Sequence, residues 1–558
     1  MVKKFLSFLY RETHSLNQAA LLLGFLSLAS QLVGFLRDRL LASHFGAGTE
    51  LDLYYAAFRI PDFLFVSVAS IVSLSVLVPF IIEKEGEGKE ALREFLNQIF
   101  SFFIYFMFTV VAITYYFMPE FSTILFKGFS AEAIEKVVFI SRLMLLSPLL
   151  LGVSNLFGSI TQAYNRFMIY AFAPVLYNAG IVIGIFFLSD RFGIEGVAFG
   201  VVLGALMHLL IQVPFLWGEK LLPHFRFALN YKLIKKVVKI SLPRTLTLSM
   251  SSIVFVFLVA LASRIGEGSV SILNFANNLQ TISLSLIGVS YSLAAFPTLT
   301  RKFQEKNIPA FLEQMKTTAR LIIFWSLPFT ALMVVLRAQI VRVLLGAGLF
   351  DWTATRLTAA AVALFVLSTV FQSLLLLLMR GFYSAGHTQK PFYINLVSTV
   401  VLLFSTYGLV KLFYASSTFS YFVTSLMKVE DVPGSAMLML PLGFSLGMIF
   451  NGLLLWVAFE QEFRGFSRGV ARSLFHGVGT SFIMGGVGYA GLNLFDKFFD
   501  LNTSMGILLQ GLCSGLLAIV FGIITLTLLK SPELTDIFGA LKSRFWKAPV
   551  IATDHEIV

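Results

Sequence analysis

The chain has little charge, one cysteine and few histidines. Asp, Glu, Lys and Arg make up 13% of its 558 residues, whereas 57% are hydrophobic and 60 are phenylalanine. A soluble domain of this length needs a more polar surface, so the composition predicts an all-α polytopic membrane protein. Cys513 is the only cysteine in the sequence, which excludes an internal disulfide.

The sequence also lacks the short motifs of common catalytic sites. Neither a G-x-x-x-x-G-K-[ST] phosphate-binding loop nor an H-E-x-x-H zinc motif occurs, and the seven histidines are scattered. We therefore expect no catalytic residues, no metal and no cofactor, which predicts that the chain is not an enzyme. A transporter without a nucleotide site must draw on an ion gradient, on the membrane potential or on the supply of its substrate.

The net charge of +12 invites comparison with nucleic-acid-binding proteins. The basic residues, however, are distributed over alternate loops, and most lie in loops that a cytoplasmic N-terminus places in the cytoplasm. This distribution follows the positive-inside rule. It predicts two cytoplasmic termini and argues against a nucleic-acid partner.

Apolar windows of about 20 residues predict about fourteen transmembrane helices. The windows are 18–42, 53–82, 96–118, 137–160, 170–188, 194–217, 238–262, 270–298, 318–337, 357–379, 391–412, 438–460, 473–495 and 505–529.

A repeated segment groups these helices. Residues Leu41–Gly48, with the sequence LASHFGAG, recur 220 positions later as Leu261–Gly268, with the sequence LASRIGEG. Pro174 matches Pro391 at nearly the same spacing. Each copy spans six helices, so both copies enter the membrane in the same direction. We predict two parallel six-helix lobes around a central cavity, with two additional C-terminal helices.

Six parts are predicted along the chain. They are an interfacial N-terminal helix at 1–17, an N-lobe at 18–218, a cytoplasmic amphipathic connector at 219–236, a C-lobe at 237–462, helices 13 and 14 at 463–530, and a cytoplasmic tail at 531–558.

Two charged residues, Arg37 and Asp38, lie deep in the first predicted helix. A charge at that depth costs roughly 2.5–3.5 kcal/mol on insertion scales. Because adjacent helical residues project about 100° apart, the two cannot both face one surface squarely. One hypothesis pairs one of them with Asp52 or Arg59 across helices 1 and 2. The other leaves Arg37 facing the cavity, where its guanidinium donors suit a phosphate or pyrophosphate.

Asp52 and Arg59 are further candidates in the second helix. Asp52 either faces the cavity or caps helix 2, whose start it occupies. Arg59 lies about two turns beyond it and either lines the cavity or extends its charge to the interface.

Several of these residues belong to a known signature. Gly34–Asp38, Phe45–Gly48, Asp52 and Ala57–Pro61 resemble the N-terminal motif of the MurJ/MviN family of lipid II flippases. Tyr164–Phe167 and Gly381–Ser384 resemble that family's loops in the first and second lobes. The resemblance covers essentially the whole chain and includes the two extra C-terminal helices.

The resemblance implies a fold, an activity and a location. It implies the fold of the multidrug/oligosaccharidyl-lipid/polysaccharide exporter superfamily and a place in the bacterial cytoplasmic membrane. The activity implied is movement of the undecaprenyl-pyrophosphate-linked peptidoglycan precursor from the cytoplasmic to the outer leaflet by alternating access. The implied partners are that precursor and the bilayer, with other cell-wall synthesis proteins as further candidates.

The chain departs from the family pattern where the family carries cations. Gln31, Phe65 and Asn278 occupy positions at or near which the family usually has arginines. Arg37 and Asp52 carry over as substrate-site candidates, and Asp38 and Arg59 join them because they are charged residues in the first two predicted helices. Further cavity candidates are Asn278, Arg244 and Arg264, of which the two arginines are candidate replacements for the missing cations.

We therefore predict a divergent lipid II flippase, with three alternatives. An exporter of another lipid-linked oligosaccharide is consistent with the missing arginines. An ion-coupled antiporter of the same superfamily is disfavoured, because such antiporters usually have twelve helices. A non-transporting membrane scaffold is favoured if Arg37 and Asp52 merely pair with each other.

Overall fold

The computed structural model of the chain describes residues 16–68 and 74–537. Nearly all of the predicted N-terminal helix at 1–17 and most of the predicted tail at 531–558 lie outside these ranges. The described part of the chain is mostly helical and contains no β-strand. This confirms the all-α prediction.

Twenty-three α-helices follow one another in the described ranges. The first twelve are α1 (Leu16–Phe45), α2 (Thr49–Ser67), α3 (Leu74–Gly86), α4 (Lys89–Tyr116), α5 (Met118–Leu125), α6 (Ala131–Met144), α7 (Leu146–Ala163), α8 (Phe167–Ile183), α9 (Ser189–Phe192), α10 (Ile194–Leu210), α11 (Val213–Gly218) and α12 (Tyr231–Ala262). The others are α13 (Ser269–Ser283), α14 (Ser290–Gln304), α15 (Ile308–Val335), α16 (Arg337–Leu345), α17 (Trp352–Val366), α18 (Thr369–Ser384), α19 (Gln389–Ala415), α20 (Ser417–Met427), α21 (Met439–Glu462), α22 (Phe466–Phe495) and α23 (Ser504–Leu528). Short π-helical turns, Gly184–Leu188 and Leu284–Val289, follow α8 and α13.

Ten helical segments of the described chain are long and apolar enough to cross a membrane. They are Lys89–Tyr116, Ala131–Ala163, Phe167–Phe192, Ile194–Gly218, Ser269–Gln304, Ile308–Val335, Trp352–Ser384, Gln389–Ala415, Ser435–Glu462 and Ser504–Leu528. Each contains one predicted window or most of it. The other four windows fall in α1, in α2 with α3, in α12 and in α22, which are not among the ten. The predicted count of fourteen is therefore not confirmed.

The chain divides into two compact units. The first comprises residues 1–275, 344–358 and 399–443, and the second comprises 276–343, 359–398 and 444–558. The first has an apolar core that includes Leu96, Leu156 and Leu216, all fully buried. The second has its own core, in which Phe311 and Phe459 are fully buried. The predicted lobe boundaries, which follow the sequence repeat, stay a prediction.

Glycines at four-residue spacing on α10, which are Gly196, Gly200 and Gly204, hold this helix close to α8. A Cβ atom on Gly204 would lie 2.3 Å from the carbonyl oxygen of Tyr177, and one on Gly180 would lie 2.3 Å from the Cα of Gly204. Backbones at this distance leave no room for a methyl group. Small residues at four-residue spacing are the usual means of such packing in membranes.

The connection between α19 and α21 contains a helix, α20, and is fixed by an ion pair. Arg356 on α17 donates to both carboxylate oxygens of Asp431, at 2.8 and 2.6 Å, and to the carbonyl of Lys428 at 2.6 Å. The hydrogen bonds from Arg356 hold the pKa of Asp431 below its usual value. Within the first unit, this pair ties the connection to α17.

Gly204→Ala is expected to destabilise the protein by about 1–3 kcal/mol, because the added methyl group forces two backbones apart. Thermal unfolding of the purified protein in detergent measures this as a lower midpoint. The control is Gly479→Ala on α22, where a Cβ has no atom within 4 Å. Equal midpoints for the two variants would contradict the packing argument.

Candidate functional site

Arg37 is held by two neighbours in the first unit. Its Nε and Nη2 atoms donate to Oδ1 of Asp38 at 2.9 and 2.8 Å, and its Nη1 donates to Oδ1 of Asn178 on α8 at 2.8 Å. The side chain of Arg37 is 23% exposed and that of Asp38 is 5% exposed. The deep cation therefore has an anionic partner, as its location requires.

This arrangement corrects one sequence hypothesis. Arg37 pairs with its sequence neighbour Asp38 rather than with Asp52. The two adjacent positions project about 100° apart, but the arginine side chain is long and flexible enough to span that angle and reach Asp38. The Arg37–Asp52 pair on which the scaffold alternative depends does not form.

The bonds to Asp38 and Asn178 leave part of the guanidinium available. A guanidinium has five N–H donors, and three donate in these bonds. Two N–H groups on this partly exposed side chain can therefore donate hydrogen bonds to anionic oxygens while Asp38 stays in place. Planar donors of this kind suit phosphate recognition.

Asn178 is a site residue that the sequence analysis missed. Besides accepting from Arg37, its amide donates to Oγ of Ser30 at 3.3 Å and to the carbonyl of Pro174 at 3.3 Å. It therefore fixes Arg37 against both α1 and α8. The available signal was a single amide inside an apolar window, one turn after Pro174.

Asp52 caps a helix, but not its own. The residue is 1% exposed. Its carboxylate accepts hydrogen bonds from the backbone N–H groups of Gly268, at 2.8 Å, and Ser271, at 2.7 Å, and from the Ser271 hydroxyl. These donors belong to the start of α13, so the expectation that Asp52 caps helix 2 is wrong. A carboxylate at this position also interacts favourably with the helix dipole.

Glu267 makes the reverse contact. Its Oε1 accepts from the backbone N–H of Thr49 at 3.1 Å and from the Thr49 hydroxyl at 2.8 Å. Thr49 begins α2, and the residue before it, Gly48, supplies no side-chain cap. Each helix start is thus capped by a carboxylate from the other copy of the repeated segment. We call Asp52 and Glu267 the reciprocal caps.

Glycines permit the close approach at the reciprocal caps. Gly268 has a φ of +79°, and a Cβ on it would lie 2.3 Å from the carbonyl oxygen of Ala47. Gly46 has a φ of +63°, and its Cβ would lie 2.8 Å from the carbonyl oxygen of Leu349. Left-handed backbone and lack of space both require glycine here. Two glycines of the repeated motif, Gly46 and Gly268, are therefore explained by their backbone conformation and by the close approach of a neighbouring carbonyl.

Arg59 provides a further link to the same region. Its Nη2 donates to Oδ1 of Asn274 on α13, and its guanidinium lies 5.0 Å from the ring centre of Phe255 on α12. Its Nε is buried and has no hydrogen-bond partner in the described structure. Arg59 thus contacts the second copy of the repeat, but it is not shown next to Arg37.

The described hydrogen bonds of Arg37 involve none of the remaining candidates. Arg264 is exposed in the turn before α13. Asn278 belongs to the second unit. The side chain of Arg244 lies outside the described residues. Phe65 packs against the apolar core of the first unit, so no cation occupies its position.

Comparisons with known proteins agree with this architecture. The family described as "Lipid II flippase MurJ" matches residues 41–510. A probable lipid II flippase MurJ of Buchnera aphidicola from Schizaphis graminum is 29% identical over 67% of this chain and 74% of its own length. A lipid II flippase MurJ of Burkholderia cenocepacia is 24% identical over 71% and 79%, respectively.

Solved structures show the same fold. A lipid II flippase MurJ in an inward closed conformation aligns with a TM-score of 0.71 at 20% identity, over 93% of this chain and all of that one. A MATE family multidrug transporter, inward facing, aligns with a TM-score of 0.64 at 14% identity, over 79% of this chain and 96% of that one.

The apolar helices and the fold define a polytopic α-helical membrane protein with a MurJ/MATE-type fold. Because the family match extends over most of the sequence, the chain belongs to the lipid II flippase MurJ family. The predicted family membership is confirmed.

Asp52→Ala is expected to open the contact at the reciprocal caps. Each buried N–H left without an acceptor costs about 1–3 kcal/mol, so access to this region should increase tenfold or more. The measurement is maleimide labelling of a reporter cysteine, Ser269→Cys, in a Cys513→Ser background. Ser269 is 1% exposed and therefore reports opening.

The matched control for this experiment is Glu50→Gln, in the same helical turn as Asp52. Glu50 is 46% exposed and pairs with Lys136 at 3.3 Å, outside the caps. Its substitution should leave the labelling rate unchanged. If Asp52→Ala labelled no faster than Glu50→Gln, Asp52 would not hold the contact closed.

Proposed function

We propose that this chain moves lipid II from the cytoplasmic to the outer leaflet of the bacterial cytoplasmic membrane by alternating access. In this proposal both termini are cytoplasmic, and the pyrophosphate of the substrate binds at Arg37. Membership of the MurJ family supports the activity. The two unused donors of the Arg37 guanidinium support the location of the anion site.

The proposal gives each site residue a role. Arg37 donates hydrogen bonds to phosphate oxygens, and Asp38 and Asn178 orient its guanidinium. Arg59 contributes a second cation. Asp52 acts through the helix start that it caps rather than by touching the anion, because a carboxylate would repel it. The energy comes from an ion gradient or the membrane potential, since the sequence carries no nucleotide-binding loop.

A second candidate is export of another lipid-linked oligosaccharide. The observation that favours it is the set of uncharged residues, Gln31, Phe65 and Asn278, at positions where the MurJ/MviN pattern has cations. Fewer cations would suit a headgroup with less negative charge, such as a monophosphate.

Arg37→Ala is expected to abolish rescue of a bacterium depleted of its own lipid II flippase, whereas the wild-type chain restores growth. Loss of a charged hydrogen-bond donor costs about 1.5–3 kcal/mol, or at least tenfold in substrate affinity. Arg301→Ala, at an exposed position on α14, serves as the control. The amount of each variant in the membrane fraction is measured in parallel.

The outcomes separate the two parts of the proposal. Rescue by both wild type and Arg37→Ala would retain the activity and remove Arg37 from the site. Failure of well-inserted wild-type chain, together with export of another lipid-linked saccharide in the same cells, would establish the second candidate instead.

A further inference from the structure

A groove of about 1070 Å³ lies in the first unit, away from the residues assigned to the substrate. It is formed by the end of α4, by α5 and by α6. Phe126 and Val138, both buried, contribute apolar surface to it, and the half-exposed side chains of Tyr115 and Phe139 also line it. None of the candidate residues for lipid II lines it.

Two cations line this groove without an anionic partner in the described chain. The Nε of Arg142 donates to the carbonyl of Tyr115 at 3.0 Å, and its guanidinium lies 4.5 Å from the centre of the Tyr115 ring. These contacts fix Arg142 but leave its terminal nitrogens available. Lys127 is exposed and forms no ion pair within the described residues.

One carboxylate, Glu135, also lines the groove. It is exposed and makes no ion pair with Lys127 or Arg142 among the pairs of the described chain. The neighbouring Lys136 pairs instead with Glu50, at 3.3 Å. The groove therefore carries two cations against one anion, so its charge complements a singly charged anion.

The groove lies where two membrane spans end. The spans are Lys89–Tyr116 and Ala131–Ala163, and the groove includes the last turn of the first and the start of the second. Tyr116 is 70% exposed beside it, and Ile124 on α5 is 62% exposed. Aromatic side chains at span ends mark the depth of lipid headgroups. A groove at this depth faces phosphates of the adjoining leaflet, with apolar surface for the start of an acyl chain.

We propose that this groove binds the headgroup of an anionic glycerophospholipid, with the lipid phosphate between Lys127 and Arg142. The apolar surface at Phe139 and Tyr115 receives the upper part of the acyl chains. Glu135 accepts hydrogen bonds from headgroup hydroxyls. This site is separate from the proposed function, since it uses neither Arg37 nor the reciprocal caps.

The test titrates the full chain in detergent with phosphatidylglycerol or phosphatidylcholine and counts bound lipids by native mass spectrometry. Wild type should bind one phosphatidylglycerol more tightly than phosphatidylcholine. Removing a cation near phosphates weakens binding roughly fivefold, so Lys127→Gln should show that loss and Lys127→Gln/Arg142→Gln a larger one. Glu135→Gln should change affinity in the opposite direction.

The control is Lys411→Gln, which removes a lysine outside the groove. Lys411 lies 5.7 Å from the centre of the Tyr407 ring, so it resembles Arg142, which lies over the Tyr115 ring. Lys127 is exposed, so its single substitution tests the site without affecting the core. Equal affinity of wild type for the two lipids would overturn the proposal. So would equal phosphatidylglycerol affinity of Lys127→Gln and Lys411→Gln, and the groove would then be a candidate site for a polypeptide.

Discussion

The first turn of an α-helix has four N–H donors without a partner in the helix, and those that are buried away from water need an acceptor from elsewhere in the protein. In this chain, the acceptors at two helix starts are supplied reciprocally by the two copies of the repeat. Asp52 accepts from the start of α13, and Glu267 accepts from the start of α2. Each helix start therefore depends on a carboxylate from the other copy of the repeat. Neither copy can move away unless the donors of both find new partners.

Such an exchange suits a protein that alternates between two states. When the reciprocal caps separate towards water, the same donors and carboxylates become hydrated, so both states satisfy their polar groups. The difference in free energy is then the net value of a few hydrogen bonds, about 0.5–1.5 kcal/mol each, rather than the larger value in an apolar medium. An equilibrium of this size can be shifted by a bound substrate, provided that the substrate favours one state.

The sequence predicted what depends on local pattern and missed what depends on distant partners. Hydrophobic windows predicted helices, and the repeat brought Gly46 and Gly268 to attention. The two alternatives for Asp52, the cavity and the start of its own helix, both missed its real role, because the N–H donor that it accepts from lies 216 positions away. Glu267 stands in the repeat where the first copy has Ala47, and that difference was the one visible sign of its role. The only sign of Asn178 in the sequence was a single amide in an apolar run. The direction in which a residue projects from its helix does not show how far its side chain reaches, so the contact of Arg37 with Asp38 could not be predicted.

The partner of Arg37 also bears on how tightly an anion can bind. Asp38 cancels most of the charge of the guanidinium but leaves two of its N–H donors unused. The site can therefore still form directional hydrogen bonds, although its net electrostatic attraction for an anion is small. Where the MurJ/MviN pattern adds further cations, this chain has Gln31 and Phe65. A pyrophosphate at Arg37 would therefore be oriented by hydrogen bonds more than held by charge. A carrier gains from this, because a tightly held substrate dissociates slowly, and weaker binding keeps the exit step from limiting the cycle.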